Sequence, residues 1–181
     1  LLNKLGYQVK TVKHSESGRA YMSKGLLRSA RKLAEKNVRK FADIISADTP
    51  LIGIEPSTIL SFRDEYPELV GKDLRDNAKK IAQNALMFDE FFVREYEKGN
   101  IQSGYFTDEQ LEIKLHGHCQ QKAVASTKPT MKMLSLPENY SVSEIPSGCC
   151  GMAGSFGYEK EHHELSMKVG ELVLFPAVRA A

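Results

Sequence analysis

Cysteine is scarce in this chain of 181 residues: there are three, at positions 119, 149 and 150. So small and odd a set excludes the dense, even framework of a disulfide-stapled secreted domain and favours a reducing compartment. Long apolar runs are missing, and no stretch approaches the roughly 20 residues of a membrane span. Neither sign of charge dominates, since 25 Lys and Arg face 23 Asp and Glu for a net +2. That balance removes the main electrostatic argument for nucleic acid or an anionic membrane as partner. There is no Pro/Ser-rich linker and no low-complexity run. A composition of 41% hydrophobic and 27% charged residues excludes a disordered tail, a collagen-like chain and a coiled coil. A chain of this length can bury about 70% of the surface its unfolded form exposes, so a core without metal or disulfide staples is feasible. The opening Leu1-Leu2-Asn3-Lys4-Leu5, without Met, reads as the last turn of a helix. We therefore expect a segment of a longer protein, with any targeting signal outside it.

What is present alternates between the two regular periods. Gly6 resembles a helix C-cap, and the β-formers Tyr7, Val9 and Val12 predict a strand over residues 7–12. Leu26, Leu27, Ala30, Leu33, Ala34, Val38, Phe41, Ala42 and Ile45 recur at helical spacing, predicting an amphipathic helix from Ser23 to about Ala47. Leu51 to Ile54 suits a strand covered on both faces, and Pro56-Ser57 suits a following helix start. A short helix over Ile59–Tyr66, a long one over Leu74–Tyr96, an alternating strand over 111–116 and a helix over Gln120–Leu136 interrupted at Pro129 come next. A strand over 142–145, a glycine-rich loop over 148–157 and a helix over Glu159–Phe175 complete the series. This order predicts an α/β fold with a mainly parallel sheet flanked by helices.

An internal echo divides that fold into two pseudo-repeated halves, residues 1–100 and 101–181. At a constant offset of 133, Val9, Val12, Gly18 and Ala20 match Val142, Ile145, Gly151 and Ala153, each set ahead of a helix. Glu16 and Ser17 then occupy the places of Cys149 and Cys150.

Several features could carry chemistry. Cys119 ends one strand and Cys149-Cys150 follows another, so the three thiols can meet at the carboxyl edge of a parallel sheet. Three thiolates and a fourth donor suit iron–sulfur chemistry or zinc. The alternatives are three ordinary buried cysteines or a vicinal disulfide. Residues 148–157 lack both Gly-x-Gly-x-x-Gly and Gly-Lys-Ser/Thr, which weakens a nucleotide reading. His162-His163-Glu164 has Met167 where a zinc-binding helix needs its second His, so it reads as a solvated face. His118 is a candidate ligand or proton carrier, or a hydrogen-bonded strand-end group. Glu55 sits at a strand's carboxyl end, either facing the site or serving as a helix-start acid.

Two stretches carry a resemblance. Gly117-His118-Cys119-Gln120-Gln121-Lys122-Ala123 and Ser147-Gly148-Cys149-Cys150-Gly151-Met152-Ala153-Gly154-Ser155-Phe156-Gly157-Tyr158 resemble the cysteine-rich CCG domain. That domain occurs in iron–sulfur subunits of glycolate and lactate oxidation, in heterodisulfide reductase B subunits, and at the C-terminus of large FAD-linked oxidases. Ser23-Lys24-Gly25-Leu26-Leu27, Gly53-Ile54-Glu55-Pro56-Ser57 and Ser61-Phe62-Arg63-Asp64-Glu65 are similar to the last group. The resemblance implies a single CCG-type domain over 1–181, truncated at both ends, with Cys119, Cys149 and Cys150 as cluster ligands and a later family cysteine beyond Ala181. His118, Glu55, Thr58 and Gly151 would lie around them. Thr58 stands where the family commonly has Cys, so the first repeat reads as degenerate.

The implied function is an iron–sulfur electron-transfer domain of an FAD-linked oxidoreductase acting on a D-2-hydroxy acid of the lactate or glycolate type. No residue here is expected to be catalytic. FAD would be bound elsewhere in the parent chain, and the cluster would be absent or incomplete in this segment alone. Expected partners are the parent's FAD-binding domain and an electron acceptor, with no nucleic acid and no membrane span. The expected location is the cytoplasm, including the periphery of the inner membrane. The competing reading is a structural or partner-docking module with a zinc-bound or metal-free cysteine cluster.

Overall fold

Spacing of small and apolar residues along residues 27–41 decides the first half of the molecule. In a computed structural model that describes all 181 residues, Leu27–Phe41 is the longest helix, and Ala30, Ala34, Val38 and Phe41 are its buried stripe. The fold is α/β, with short strands in two separate parallel pairs rather than one continuous sheet. The chain forms two compact units, Leu1–Gln102 and Ser103–Ala181. No helix is long and apolar enough to cross a membrane.

In the first unit the order is α1 (Arg19–Ser23), α2 (Leu27–Phe41), β1 (Leu51–Gly53), α3 (Pro56–Arg63), α4 (Glu65–Leu69), α5 (Arg75–Gln83), β2 (Ala85–Met87) and α6 (Phe88–Glu97). β1 runs parallel to β2, Leu51 facing Ala85 and Gly53 facing Met87. Such pairing requires a crossover, which α3 to α5 supply. In the second unit β3 (Leu111–Leu115) leads through α7 (Cys119–Val124) and α8 (Lys128–Leu134) to β4 (Tyr140–Glu144), parallel to β3. α9 (His163–Glu171) and α10 (Leu174–Arg179) end the chain.

Three expectations need correction. Residues 7–12 form no strand. Tyr7 is anchored by its side chain instead, donating to Glu95 Oε2 at 3.1 Å and packing edge-on against Phe91 at 5.2 Å. Tyr7–Val12 and Leu51–Ile54 line a cavity of about 910 Å³, so the β-formers gain no ladder partner in β1. The long helix expected over 74–96 is broken by β2, because Ala85 and Met87 are buried where that segment pairs with β1. The last helix starts at His163 and is interrupted before Leu174, so it is two short helices. Pro129 restarts the helix at α8, as its missing N–H requires.

The echo persists only in part. Gly18 and Gly151 both adopt left-handed backbone, φ 78° and 92°, but β4 has no strand counterpart in the first unit.

A buried polar knot replaces the missing strand pairing. Asn37 Oδ1 accepts from Ser15 N at 3.0 Å, and its amide donates to Glu16 O at 3.0 Å and to Tyr66 Oη at 3.1 Å. Tyr66 in turn donates to Ser17 O at 2.8 Å. Burial pushes the Tyr66 hydroxyl from 10.0 up to about 12. The unfolded chain releases that proton first, so the associated stability is complete below pH 10 and is lost as pH rises from 10 to about 12. Urea unfolding should show a falling midpoint across that window, with a shallower fall in Tyr66→Phe. That variant should also lose about 1–3 kcal/mol at neutral pH through the partners left unpaired.

Candidate functional site

Parallel strands end at the same edge. Leu111 to Leu115 pair residue by residue with Tyr140 to Glu144, and Ile145 N continues the ladder to Leu115 O at 2.8 Å. The segments leaving that edge are His116-Gly117-His118-Cys119 and Pro146-Ser147-Gly148-Cys149-Cys150. They are fastened to each other directly. His116 Nδ1 shares a hydrogen bond with Ser147 Oγ at 2.6 Å. Lys122 Nζ, one turn into α7, donates to Ser147 O at 2.6 Å and to Gly148 O at 3.0 Å.

The three thiols consequently act on one another. None is in a disulfide; Cys119 is exposed, Cys149 and Cys150 half-buried. Burial pushes the Cys119 thiol up, and Cys149, through its charge and a hydrogen bond, and Cys150 push it further, against the pull of Lys122. Gly151 N donates to Cys149 Sγ at 3.3 Å. His118 caps α7, its Nδ1 accepting from Gln120 N at 3.2 Å. Burial, then the charges of Lys122 and His118, lower the pKa of His116 despite Glu144.

The loop that carries Cys149 and Cys150 depends on Gly151. Its φ of 92° disfavours side chains, and a Cβ there would lie 2.1 Å from Ser166 O on α9. Buried Ser166 also fills the space beside Gly157, where a Cβ would come within 2.4 Å of its hydroxyl.

Glu55 and Thr58 belong to the first unit. Glu55 caps α3, accepting from Ser57 N at 3.0 Å, Ser57 Oγ at 2.7 Å and Thr58 N at 2.6 Å. Burial would raise its pKa, but the bonds from Thr58 and Ser57 together hold it below the usual carboxylate value. The helix-start reading therefore describes what this carboxylate does. His162 stacks on Phe156 at 4.0 Å and bonds Glu159, while Glu164 pairs with Lys168 at 2.7 Å on the solvated side. The residues that sequence reasoning missed are Lys122, Ser147 and Ser166. Lys122 had a signal, lying three residues after Cys119 within the stretch from Gly117 to Ala123; Ser166 had none.

The donor set suits a soft metal. No three His, Cys, Asp or Glu side chains gather in the manner of a site for a single ion. A multi-iron cluster places its thiolates on different irons and tolerates wider spacing, and the Gly151 N–H is already aimed at a sulfur.

No family model matches the chain, and no solved structure matches it. Curated proteins do. The chain is similar to a part of much longer dehydrogenases. It is 28% identical over 180 residues to the D-2-hydroxyglutarate dehydrogenase of Pantoea ananatis, covering 99% of the chain and 17% of that protein. For the Escherichia coli protein of the same name the identity is 30% over 178 residues, 95% of the chain and 16% of the relative. A subunit of the anaerobic glycerol-3-phosphate dehydrogenase of Escherichia coli is 25% identical over 175 residues, 94% of the chain and 42% of the relative. The chain thus spans about a sixth of the length of the first two relatives.

Gly151→Ala should destabilise the second unit by about 2 kcal/mol or more, combining a strained φ with a backbone clash. Gly148→Ala, where a Cβ meets nothing within 4 Å, should be nearly neutral. Thermal unfolding of the two variants, with hydrogen exchange over 145–158, checks the contrast.

Proposed function

We propose that this chain is the electron-transfer segment of an FAD-linked dehydrogenase, with Cys119, Cys149 and Cys150 as ligands to an iron–sulfur cluster. The observation that carries this is the linkage of the three thiols: they come from the carboxyl ends of two adjacent parallel strands, and each of the other two bears on Cys119. The similarities support it from another direction. One segment resembles parts of proteins described by different substrates, D-2-hydroxyglutarate and glycerol-3-phosphate. A part shared across such enzymes suits a common task, the movement of electrons, better than substrate selection.

When bound, an iron–sulfur cluster supplies a one-electron centre in a thiolate shell. The chain's own residues prepare for it. Lys122 fixes the Ser147 and Gly148 carbonyls, and with them the approach of the cysteine pair to Cys119. Its ammonium also favours the thiolate form of Cys119, opposing the burial that disfavours it. The Gly151 N–H stabilises negative charge on Cys149, which raises the potential of a metal bound there. Oxidation of the substrate, a D-2-hydroxy acid, belongs to parts of the parent protein outside this chain, as does the FAD. The partners are that flavin domain and a terminal acceptor, in the cytoplasm.

Anaerobic reconstitution of the longer parent protein with ferrous iron and sulfide should load comparable amounts of both, and Cys119→Ser, Cys149→Ser and Cys150→Ser there should each lower the iron retained. In the longer parent protein, Cys150→Ser should block acceptor reduction while substrate still reduces the flavin. Unchanged iron in all three variants, or preferential retention of zinc, would transfer the site to a structural or docking role.

A further inference from the structure

The near-neutral total conceals a steep partition. Residues 1–47 carry eleven Lys and Arg against three Asp and Glu, a net +8, whereas residues 48–181 carry fourteen against twenty, a net −6. Much of the positive excess is on one side of α2. Because Ala30, Ala34, Val38 and Phe41 face the core, the opposite side is solvent-facing, and there Arg28, Lys32, Lys36 and Lys40 recur every fourth residue. At the helical rise the row is about 18 Å long.

This row is unneutralised. The one acid within α2, Glu35, is engaged by Arg31 at 2.8 Å and by Gly71 N at 3.1 Å. The nearby Asp73 is taken by Arg39 at 3.2 Å, so neither carboxylate serves the four cations of the row. Cations at i, i+4 repel each other, so the sequence maintains an arrangement that costs the isolated helix stability. At its far end the row enters a depression of about 320 Å³ lined by Lys13, His14, Ser15, Lys36, Asn37 and Lys40. The depression is built, not incidental. Asn37, 1% exposed, holds Ser15 and Glu16 against α2, and so fixes the backbone that carries Lys13 opposite Lys36 and Lys40. Leu26 and Leu27, more than half exposed, give an apolar contact at the other end.

We propose that this face docks an acidic protein, with a protruding Asp or Glu side chain entering the depression and further carboxylates lying along the row. Charge complementarity selects the occupant. Lipid headgroups lie in a plane that does not follow a recessed triad of lysines. Duplex DNA would engage phosphates without using the recess. The docking face is independent of the iron–sulfur reading, since every residue in it belongs to the first unit.

Poly-L-glutamate is the probe. The chain should bind it at low ionic strength in isothermal titration, with affinity falling as salt rises. The combined variant Lys13→Gln, Lys32→Gln, Lys36→Gln, Lys40→Gln should bind at least about ten-fold more weakly. A control of equal charge change, Lys4→Gln, Lys72→Gln, Lys79→Gln, Lys160→Gln, should bind nearly as the parent does. The first variant should also unfold at or above the parent's temperature in low salt, because its repulsion is relieved. Equal weakening in both variants would show net charge alone at work and overturn the proposal. Tighter binding to phosphatidylglycerol vesicles or to duplex DNA than to poly-L-glutamate would do the same.

Discussion

Parallel pairing of Leu111–Leu115 with Tyr140–Glu144 is the constraint on which the thiol site depends. Antiparallel strands would send the segments after residues 115 and 144 to opposite ends of the sheet, and Cys119 could not share a neighbourhood with Cys149 and Cys150. Parallel pairing instead demands a crossover, and the crossover helix α7 is also the element that starts at Cys119 and carries Lys122. One topological requirement therefore delivers both a thiol and the ammonium that ties the second loop down. A pair of exposed five-residue strands holds little core of its own, so the hydrogen bonds of Lys122 and His116 to residues 147 and 148 take on a larger share of the positioning.

Electrostatics at the site disfavour a charged Cys119 sulfur. Burial and the neighbouring thiols disfavour ionisation of Cys119, and only Lys122 acts in the opposite sense. Metal bound through these sulfurs would reverse the sign of this interaction, which would couple binding to proton release. The Gly151 N–H is directed at the Cys149 sulfur of the same loop.

How far the sequence discloses this differs by element. α2 was legible because nine apolar residues keep one period, and β3 and β4 because alternation and β-branching agree there. β2 was not, since Ala85-Leu86-Met87 fits a helix as well as a strand and only pairing with β1 distinguishes them. The converse holds at residues 7–12, where β-forming side chains are present but the segment is secured through the Tyr7 hydroxyl and, just beyond it, through the bonds of Asn37 to residues 15 and 16. Propensity reports what a segment tolerates, and a strand also needs an available edge. At the site, cysteine spacing at the ends of strands located the thiols. Ser166 was illegible because its backbone carbonyl occupies the space a side chain at Gly151 would need, a relation between residues fifteen apart that neither identity suggests. Glu55 shows the reverse, a carboxylate placed by sequence at a strand end and spent on capping α3.

X-ray absorption at the iron edge decides whether the three cysteines hold a cluster, because it reads the atoms around the metal without relying on turnover. In the longer parent protein after anaerobic reconstitution, the expected first shell is dominated by sulfur with a second iron as a near neighbour, and the iron giving that signal falls when Cys119, Cys149 and Cys150 are replaced together by Ser. A first shell of oxygen and nitrogen with no iron neighbour, the same in the parent chain and in the triple variant, would contradict it.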